Sequence, residues 1–161
     1  MTQTSNHFHI REASLEDLEQ ITELFRETVL QINSKDYSDK QVQTWASRAD
    51  NINKWRDRIR HQYFIVAEQK GQIIGFASIN KEAYLDTIFV HKDHQHEGVG
   101  TELLHQLLEN ARNTGKAEVY TEASLTARPF LEKHGFRTKK PQQKVRDGVV
   151  FVNFAMIKAL E

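Results

Sequence analysis

Residues 84–101 read YLDTIFVHKDHQHEGVGT. The apolar and β-branched residues of 84–90 predict a strand, and a helix is expected soon after the glycines at 98 and 100. Free N–H groups at a helix N-terminus attract anions, and glycine lets the main chain approach a bulky phosphate without a Cβ in the way. We therefore expect this junction to bind a phosphorylated cofactor.

Two familiar nucleotide-binding motifs fit this junction poorly. The dinucleotide fingerprint has a third glycine and follows the first strand of a βαβ unit, and neither condition is met here. A P-loop requires Gly-Lys followed by Ser or Thr, which does not occur in the chain. The phosphate-binding prediction therefore depends on the strand, loop and helix context and not on glycine spacing alone.

Composition excludes several other classes of function. The 161 residues fit one ordinary domain, and 22 basic with 22 acidic residues give a formal charge of zero, so neither a nucleic acid nor a membrane is expected as a partner. No apolar run reaches membrane-spanning length, and residues 1–6 lack the pattern of a signal peptide, which favours a cytoplasmic protein. The absence of cysteine excludes disulfides, thiolate metal sites and a thiol nucleophile.

Capping signals and helical spacing of apolar residues predict three helices in the first part of the chain. Ser14 with Asp17, and Ser38 with Gln41, have the spacing of capping boxes. A short strand of alternating polar and apolar residues around Phe8 precedes them. The predicted helices span 15–31, 39–49 and 53–60.

The later pattern changes to strands and then alternates strands with helices. Gly115 and Gly135 predict helix ends, and Asp147-Gly148 predicts a hairpin turn between the last two strands. Strands that form an antiparallel meander first and are joined through helices later indicate the α+β class with a mixed sheet. The predicted elements are strands at 63–67, 73–79, 84–90 and 118–121, helices at 101–113 and 125–134, and strands around Phe136 and at 149–157.

At residue level, Gln95-His96-Glu97-Gly98-Val99-Gly100 resembles the Q/R-x-x-G-x-G/A acetyl-CoA loop of the GNAT N-acetyltransferases. Residues 85–104 resemble the fourth strand, pyrophosphate loop and following helix of that superfamily. Residues 124–136, with Ala127, Phe130 and Gly135-Phe136, resemble a later helix motif. The N-terminal part is similar to a group of small bacterial members, so the resemblance covers essentially the whole chain.

The resemblance implies a mostly antiparallel, twisted mixed sheet of about seven strands, flanked by about four helices. It also implies that acetyl-CoA is the cosubstrate, that no metal is needed, and that an amine attacks the thioester directly. Pantetheine would pair with the main chain near residues 88–90, in a gap between the fourth and fifth strands, in the manner of an added strand. The implied cofactor-binding residues are Ile88, Phe89, Val90, Gln95, His96, Glu97, Gly98, Val99, Gly100, Thr101, Ser124, Ala127, Arg128 and Phe130.

Catalytic residues are harder to carry over, because the chain departs from the family pattern. Leu131 replaces the tyrosine that usually protonates the departing thiolate, and Tyr84 stands where many members have a glutamate base. Asp86 lies two residues further along the strand, so its side chain is expected on the same face as Tyr84. We take Asp86 as the candidate base, with a purely structural strand-end carboxylate as the alternative.

Several further positions have two interpretations. Ser124 replaces the asparagine that is usual near the pantetheine, and a serine also suits a helix cap. Glu97 replaces a frequent Lys or Arg and is expected to face solvent. Arg128 either meets the cofactor's 3′-phosphate or lies on a solvated helix face. Tyr37 and Trp45 are expected to line an acceptor pocket, or to form buried aromatic core.

The sequence also bears on metal binding, on the acceptor and on the oligomeric state. The histidines at 91, 94 and 96 lie in the expected cofactor loop with no helical histidine pair, so we expect no metal site there. The acceptor is expected to be a small amine or a peptide, and a homodimer through the apolar 149–157 strand is an analogy with the family. A non-catalytic acyl-CoA sensor and an interaction domain that has lost cofactor binding are the alternatives to an enzyme.

Overall fold

The computed structural model describes residues 7–161; residues 1–6, which carried the prediction about a signal peptide, lie outside the described residues. The described part has seven strands and five α-helices. The strands are β1 (His9–Glu12), β2 (Tyr63–Gln69), β3 (Gln72–Ile79), β4 (Tyr84–Val90), β5 (Glu118–Ala123), β6 (Arg137–Arg146) and β7 (Val149–Ala159). The helices are α1 (Leu18–Gln31), α2 (Asp39–Ala46), α3 (Ile52–His61), α4 (Val99–Asn113) and α5 (Arg128–Lys133).

All seven strands join one sheet in the order β1-β2-β3-β4-β5-β7-β6. The β4–β5 pair is parallel and every other neighbouring pair is antiparallel, which confirms the predicted mixed, mostly antiparallel α+β fold. The first four strands are neighbours in sequence, as a meander requires. β7 lies between β5 and β6, so both of its hydrogen-bonding edges are already used within the chain.

Each face of the sheet is covered by a different set of helices. On one face α4 buries Leu103, Leu104 and Leu107 completely against β3, β4 and β5. On the other face α1, α2 and α3 form a second core around Ile21 and Trp55. Helices α1 to α3 therefore cover this second face of the sheet beside its middle strands.

The capping boxes predicted for the first helices are both present. Asp17 Oδ2 accepts the Ser14 amide at 2.8 Å, and a single 3₁₀ turn over 15–17 precedes α1. Gln41 Oε1 accepts the Ser38 amide at 2.8 Å, while the Gln41 amide donates to Ser38 Oγ at 3.2 Å. α2 ends at Ala46, earlier than predicted, because a 3₁₀ turn replaces its last residues.

Three later boundaries differ from the prediction. α4 begins at Val99, two residues early, because Gly98 with φ +87° already serves as its left-handed cap. α5 begins at Arg128 and not at 125, because Pro129 fits only the first turn of a helix and residues 125–127 form a separate turn. β6 runs to Arg146, although its sequence is mostly polar, because it is the exposed edge strand of the sheet.

The Asp147-Gly148 hairpin turn is confirmed. Both residues have positive φ, +52° and +75°, as a type I′ turn requires, and Arg146 pairs directly with Val149. Of the helices in residues 7–161, none is long and apolar enough to cross a membrane.

Candidate active site

The strands β4 and β5 are paired only at their beginnings. The register joins Tyr84 with Tyr120 and Leu85 with Thr121, and Thr121 Oγ1 donates to Leu85 O at 2.7 Å. Beyond Leu85 no strand of residues 7–161 pairs with this edge of β4, so β4 and β5 leave a gap between them. A gap in a sheet exposes main-chain hydrogen-bonding groups that an extended ligand can satisfy.

Alternation along β4 decides which main-chain groups face the gap. The His91 amide donates to Ile74 O at 2.8 Å and Val90 lies opposite Gly75, so residues 89 and 91 pair with β3. The N–H and C=O of Ile88 and the N–H of Val90 then point into the gap. The carbonyl of Val90 also faces that side but accepts Gln95 Nε2 at 2.7 Å.

Phe89 does not contribute main chain to the gap, contrary to the sequence-based expectation. Its backbone is turned towards Phe76 of β3. Its ring packs edge to face on Phe25, with 5.1 Å between ring centroids, and lies 5.5 Å from the ring of Phe76. A ligand in the gap would therefore meet the backbone of the two flanking residues, Ile88 and Val90.

The loop after β4 ends in a set of unpaired amides. The first hydrogen bond at the start of α4 runs from Glu102 N to Gly98 O at 3.1 Å, so the amides of Val99, Gly100 and Thr101 have no partner inside the helix. They open towards the same end of β4 as the Val90 amide. This is the arrangement that binds phosphate at a helix N-terminus.

The side chains of the loop mostly brace the loop itself. Gln95 reaches back to Val90 O, and the exposed Glu97 Oε1 lies 3.0 Å from His94 Nδ1. Thr101 Oγ1 lies 3.2 Å from His134 Nε2, which ties α4 to the end of α5. His96 is exposed and has a positive φ of +64°. The anion-binding capacity of the loop therefore comes from its main chain.

Gly100 brings the loop close to the second predicted motif. A Cβ at this position would lie 3.3 Å from Phe130 and 3.5 Å from Val90 Cγ2, so the main chain is in close contact with the ring. Ser124 Oγ accepts the Ala127 amide at 3.0 Å, which closes the turn at 125–127; the serine does not cap a helix, because α5 begins only at Arg128. Both motifs therefore meet at the open end of the gap.

Arg128 is held by neighbouring groups of the protein. Its guanidinium lies over the Phe154 ring, 4.2 Å from the ring centroid, and its Nε donates to Glu132 Oε2 and Thr138 Oγ1 at 3.2 Å each. Contact of this side chain with the cofactor's 3′-phosphate stays a prediction.

A cavity of about 1050 Å³ extends from the gap between β4 and β5 to the helices α2 and α3. Tyr37, Trp45 and Phe151 form an aromatic side of it, with 5.2 Å between the ring centroids of the first two. Leu131 lies on its inner wall and is buried. Further lining residues are Arg48, Arg58, Gln62, Tyr84, Asp86, Ile88, Glu122, Ser124, Ala127, Arg146 and Asn153.

Tyr37 connects the helical wall with the segment after β5. The Leu125 amide donates to its hydroxyl at 2.8 Å, next to Ser124. Burial, more than any neighbouring charge, raises the pKa of this phenol above its ordinary value. The hydroxyl therefore keeps its proton at neutral pH and can donate it into the cavity.

Asp86 is held by Arg58 of α3 and by Gln62, the first residue after α3. Arg58 Nε donates to Asp86 Oδ2 at 2.9 Å and Gln62 Nε2 donates to the same oxygen at 2.8 Å. The Arg58 guanidinium also lies over the ring of Trp55, 4.6 Å from its centroid. The other carboxylate oxygen, Oδ1, makes no hydrogen bond to residues 7–161 and is free to meet a ligand.

Tyr84 lines the same cavity as Asp86, as alternation predicted. Burial, and then the charges of Glu122 and Asp86, raise the pKa of Tyr84 far above its ordinary value. Its hydroxyl donates to Glu122 Oε1 at 3.4 Å. A phenol that stays neutral is a hydrogen-bond donor at neutral pH and does not act as a base.

Sequence patterns did not indicate the partners of Asp86. Arg58 lies in the last turn of α3 and Gln62 follows the helix in an extended conformation, and only the packing of this segment on the sheet brings both to Asp86. Across the ranges that the structure describes, no group of three or more His, Asp or Glu side chains is arranged to hold a metal ion.

Comparisons with known proteins give a consistent result. Residues 33–158 match the family described as acetyltransferase (GNAT) domain. The chain is 32% identical over 151 residues to the uncharacterised N-acetyltransferase YafP of Escherichia coli (strain K12), covering 94% of this chain and 95% of that protein.

Solved structures agree with the sequence matches. A GCN5-related N-acetyltransferase from Rhodopseudomonas palustris superposes with a TM-score of 0.93 at 29% identity, covering 99% of this chain and 100% of that one. The PaiA N-acetyltransferase of Thermoplasma acidophilum, crystallised with coenzyme A, has the same fold, with a TM-score of 0.78 at 22% identity over 95% of this chain and 99% of that chain.

Proposed function

The chain belongs to the GNAT acetyltransferases, and from this premise we propose that it transfers an acetyl group from acetyl-CoA to a primary amine by direct attack. The main support for this function is the position of the free amides of α4 beside the gap between β4 and β5. A pyrophosphate on those amides and a pantetheine arm in the gap would occupy one continuous path. The fold neighbour crystallised with coenzyme A supports this choice of ligand.

Acetyl-CoA would be held mainly by main-chain groups. We assign its pyrophosphate to the amides at 98–101 and its pantetheine amides to Ile88 and Val90, with Phe130 and Ala127 closing the other side. Gln95, Glu97 and Thr101 would then act by holding the loop in shape. His96, Ser124 and the ring of Phe89 remain proposed neighbours of the cofactor without an assigned hydrogen bond.

When bound, acetyl-CoA supplies the activated acetyl group as a thioester. The acceptor enters as an ammonium group and first loses one proton to become a nucleophile. In direct attack the amine nitrogen then forms the new bond to the acetyl carbon, the carbon–sulfur bond breaks, and the nitrogen loses a second proton while the sulfur gains one. An acyl-enzyme on cysteine is excluded because the chain has none. The protein must therefore accept one proton and donate another.

We assign the proton acceptor to Asp86. Its Oδ2 is already occupied by Arg58 and Gln62, so only Oδ1 is available to the incoming ammonium group, directly or through water. Arg58 and Gln62 would fix the direction of that oxygen, which is the usual task of groups around a catalytic carboxylate. Tyr84 is assigned a hydrogen-bonding role beside it.

We assign the role of proton donor to Tyr37, because Leu131 stands where the family usually has the tyrosine that does this. Its hydroxyl lies beside Ser124 and lines the same cavity as Leu131, and its raised pKa keeps the proton on the oxygen. The Leu125 amide donates to this oxygen, which leaves the phenolic hydrogen free to point into the cavity.

The rival function is an acyl-CoA sensor without turnover. The substitution at Leu131 favours it, because a sensor needs no proton donor. The two functions differ in one measurable property, since a sensor binds acetyl-CoA and releases no thiol with any amine. A cytoplasmic location and a homodimer stay predictions.

The first experiment is a calorimetric titration of the protein with acetyl-CoA and with CoA. Micromolar binding that is lost in Gly100→Trp and Gly98→Trp supports the cofactor site, and thiol release with a panel of amines then separates enzyme from sensor. No binding to the unaltered protein contradicts the proposed function.

A further inference from the structure

Two arginines, here called the rim arginines, line the cavity from the turn after α2 and from the end of β6. Arg48 lies in the 3₁₀ turn that follows α2, and Arg146 is the last residue of β6, before the hairpin turn. Gln41 Nε2 donates to Val150 O at 2.8 Å, which fixes α2 against β7 and keeps the two segments together. Both side chains line the cavity that also contains Asp86.

Neither arginine has the carboxylate partner that Arg58 and Lys144 have in the same cavity. Arg58 is paired with Asp86 and Lys144 with Glu122, at 2.9 and 3.1 Å, whereas no carboxylate of residues 7–161 lies within 4.0 Å of the Arg48 or Arg146 guanidinium.

The electrostatic environment of Arg48 agrees with this observation. Burial, and then the like charges of Arg146 and Arg58, lower the pKa of Arg48, while the more distant carboxylate of Asp147 acts in the opposite direction. Arg48 is half-buried and Arg146 is exposed, and like charges near a half-buried guanidinium are unfavourable unless a counter-ion neutralises them. An anionic group would remove that cost, and a guanidinium offers it two parallel N–H donors.

The part of the cavity near β4 offers a hydrogen-bond acceptor instead of donors. Asp86 Oδ1 makes no hydrogen bond to residues 7–161, and Gln62 Oε1 is buried without a hydrogen-bond partner among them. The Asp86 oxygen can only accept hydrogen bonds, and an ammonium group supplies three donors, whereas the Gln62 oxygen is closed off from the cavity. The cavity therefore offers an acceptor near β4 and donors at its rim, with the aromatic rings of Tyr37 and Trp45 also on its wall.

We propose that the acceptor is a primary amine that also carries a carboxylate, with the carboxylate bound by Arg48 and Arg146 and the ammonium group directed to Asp86. This inference rests on the proposed acetyl transfer, because it identifies the class of acceptor for the same cavity. It excludes simple alkylamines as good substrates, since they would leave the two guanidiniums without a counter-ion.

The test compares matched pairs of amines that differ only in the anionic group. Thiol release is measured at saturating acetyl-CoA with the common L-amino acids and with their carboxamides. For the best acid we expect kcat/KM to exceed that of its amide by roughly tenfold to a hundredfold, because charged hydrogen bonds are lost with the amide. Equal rates for acids and amides overturn the proposal.

Variants assign the preference to the two arginines. Arg48→Gln and Arg146→Gln should each raise KM for the acid by roughly tenfold with kcat little changed, and both should reduce the preference for acid over amide. Arg60→Gln is the matched control, because it removes the same charge from an exposed position on α3 that does not line the cavity. A preference that survives in both rim variants contradicts the assignment.

A binding measurement separates this inference from the proposed function. If acetyl-CoA binds and no amine reacts, acetyl transfer fails, and calorimetric titration of the CoA complex with the same acids and amides still decides whether the rim binds carboxylates. If acetyl-CoA does not bind, the same titration is made on the free protein. Failure of every acid to bind overturns the proposal in either case.

Discussion

The Leu125 amide donates a 2.8 Å hydrogen bond to the hydroxyl of Tyr37, which joins the segment before α2 to the segment after β5. A second bond in the same place, from Thr126 Oγ1 to Asp36 Oδ2 at 2.7 Å, strengthens this connection. The contact places a neutral phenol beside Ser124, at the position where the cofactor gap opens into the cavity. These two hydrogen bonds therefore connect the helical side of the cavity with the segment that follows β5.

Replacing Tyr37 by Phe tests the proposed proton donor. We expect kcat to fall by roughly a hundredfold, because general acid catalysis contributes about that much, while the Kd for acetyl-CoA stays the same. The free energy of unfolding should fall by only about 1 kcal/mol, the net value of one hydrogen bond. Steady-state kinetics, calorimetry and thermal unfolding measure the three quantities.

Trp45→Phe is the control for Tyr37→Phe, since it alters the neighbouring aromatic ring and leaves the hydroxyl in place. An unchanged kcat in Tyr37→Phe removes this residue from the mechanism and leaves water as the proton donor.

Replacing Asp86 by Asn tests the proposed proton acceptor. The amide has nearly the same shape, so acetyl-CoA should bind normally, while kcat/KM falls by roughly a hundredfold or more because the base is lost. Arg58→Gln is the companion variant, because it keeps the carboxylate and removes its 2.9 Å partner. A rate in Asp86→Asn equal to that of the unaltered protein restores the structural interpretation of this carboxylate.

Much of the fold follows from local signals in the sequence. The capping boxes at Ser14 and Ser38 and the Asp-Gly turn at 147–148 each satisfy main-chain groups within a few residues, so their structure is determined locally. The length of the edge strand β6 was underestimated, because its mostly polar residues do not alternate with apolar ones.

The site itself depends on contacts that sequence spacing does not contain. The hydrogen bond from Gln95 to Val90 O and the position of the Arg128 guanidinium over Phe154 are not visible in the sequence, and a contact of either residue with the cofactor stays a prediction. Arg48 and Arg146 are almost a hundred residues apart in sequence and line the same cavity because α2 packs on β7. Local pattern therefore located the loop, and tertiary packing determined which side chains surround it.

Two glycines with the same backbone conformation allow the phosphate site to be tested separately from stability. Gly98 caps the start of α4 and Gly115 follows its end, with φ of +87° and +81°, and an added Cβ would meet nothing within 4 Å at either position. Gly98→Ala and Gly115→Ala should therefore each lower the free energy of unfolding by about 1–2 kcal/mol through backbone strain. The measurement is thermal or denaturant unfolding of both variants.

Only the variant at the start of the helix should weaken acetyl-CoA binding. A Cβ at Gly98 stands beside the amides assigned to the pyrophosphate, whereas Gly115 lies at the other end of α4. Calorimetry of the two variants decides this, and equal affinities would exclude a close approach of phosphate to Gly98.

The acid sensitivity of the fold should depend on Asp17. Arg11 donates to its two oxygens at 2.9 Å each and the Ser14 amide donates at 2.8 Å, and the Arg11 hydrogen bond is the main cause of the lowered pKa of this carboxyl group. Because the folded-state pKa is below that of the unfolded chain, about 3.9, the stabilisation is present above that pH and is lost as the pH falls through the folded-state value.

Asp17→Asn should therefore lower the free energy of unfolding at pH 7 by about 1–2 kcal/mol, since the neutral amide keeps the shape of the cap and loses the charge. It should also flatten the decline in stability below pH 4. Thermal unfolding between pH 7 and pH 2 at constant ionic strength measures both effects, with the exposed neighbour Glu16→Gln as the control. An acid limb with the same slope in Asp17→Asn and the unaltered protein assigns the acid sensitivity to other carboxylates.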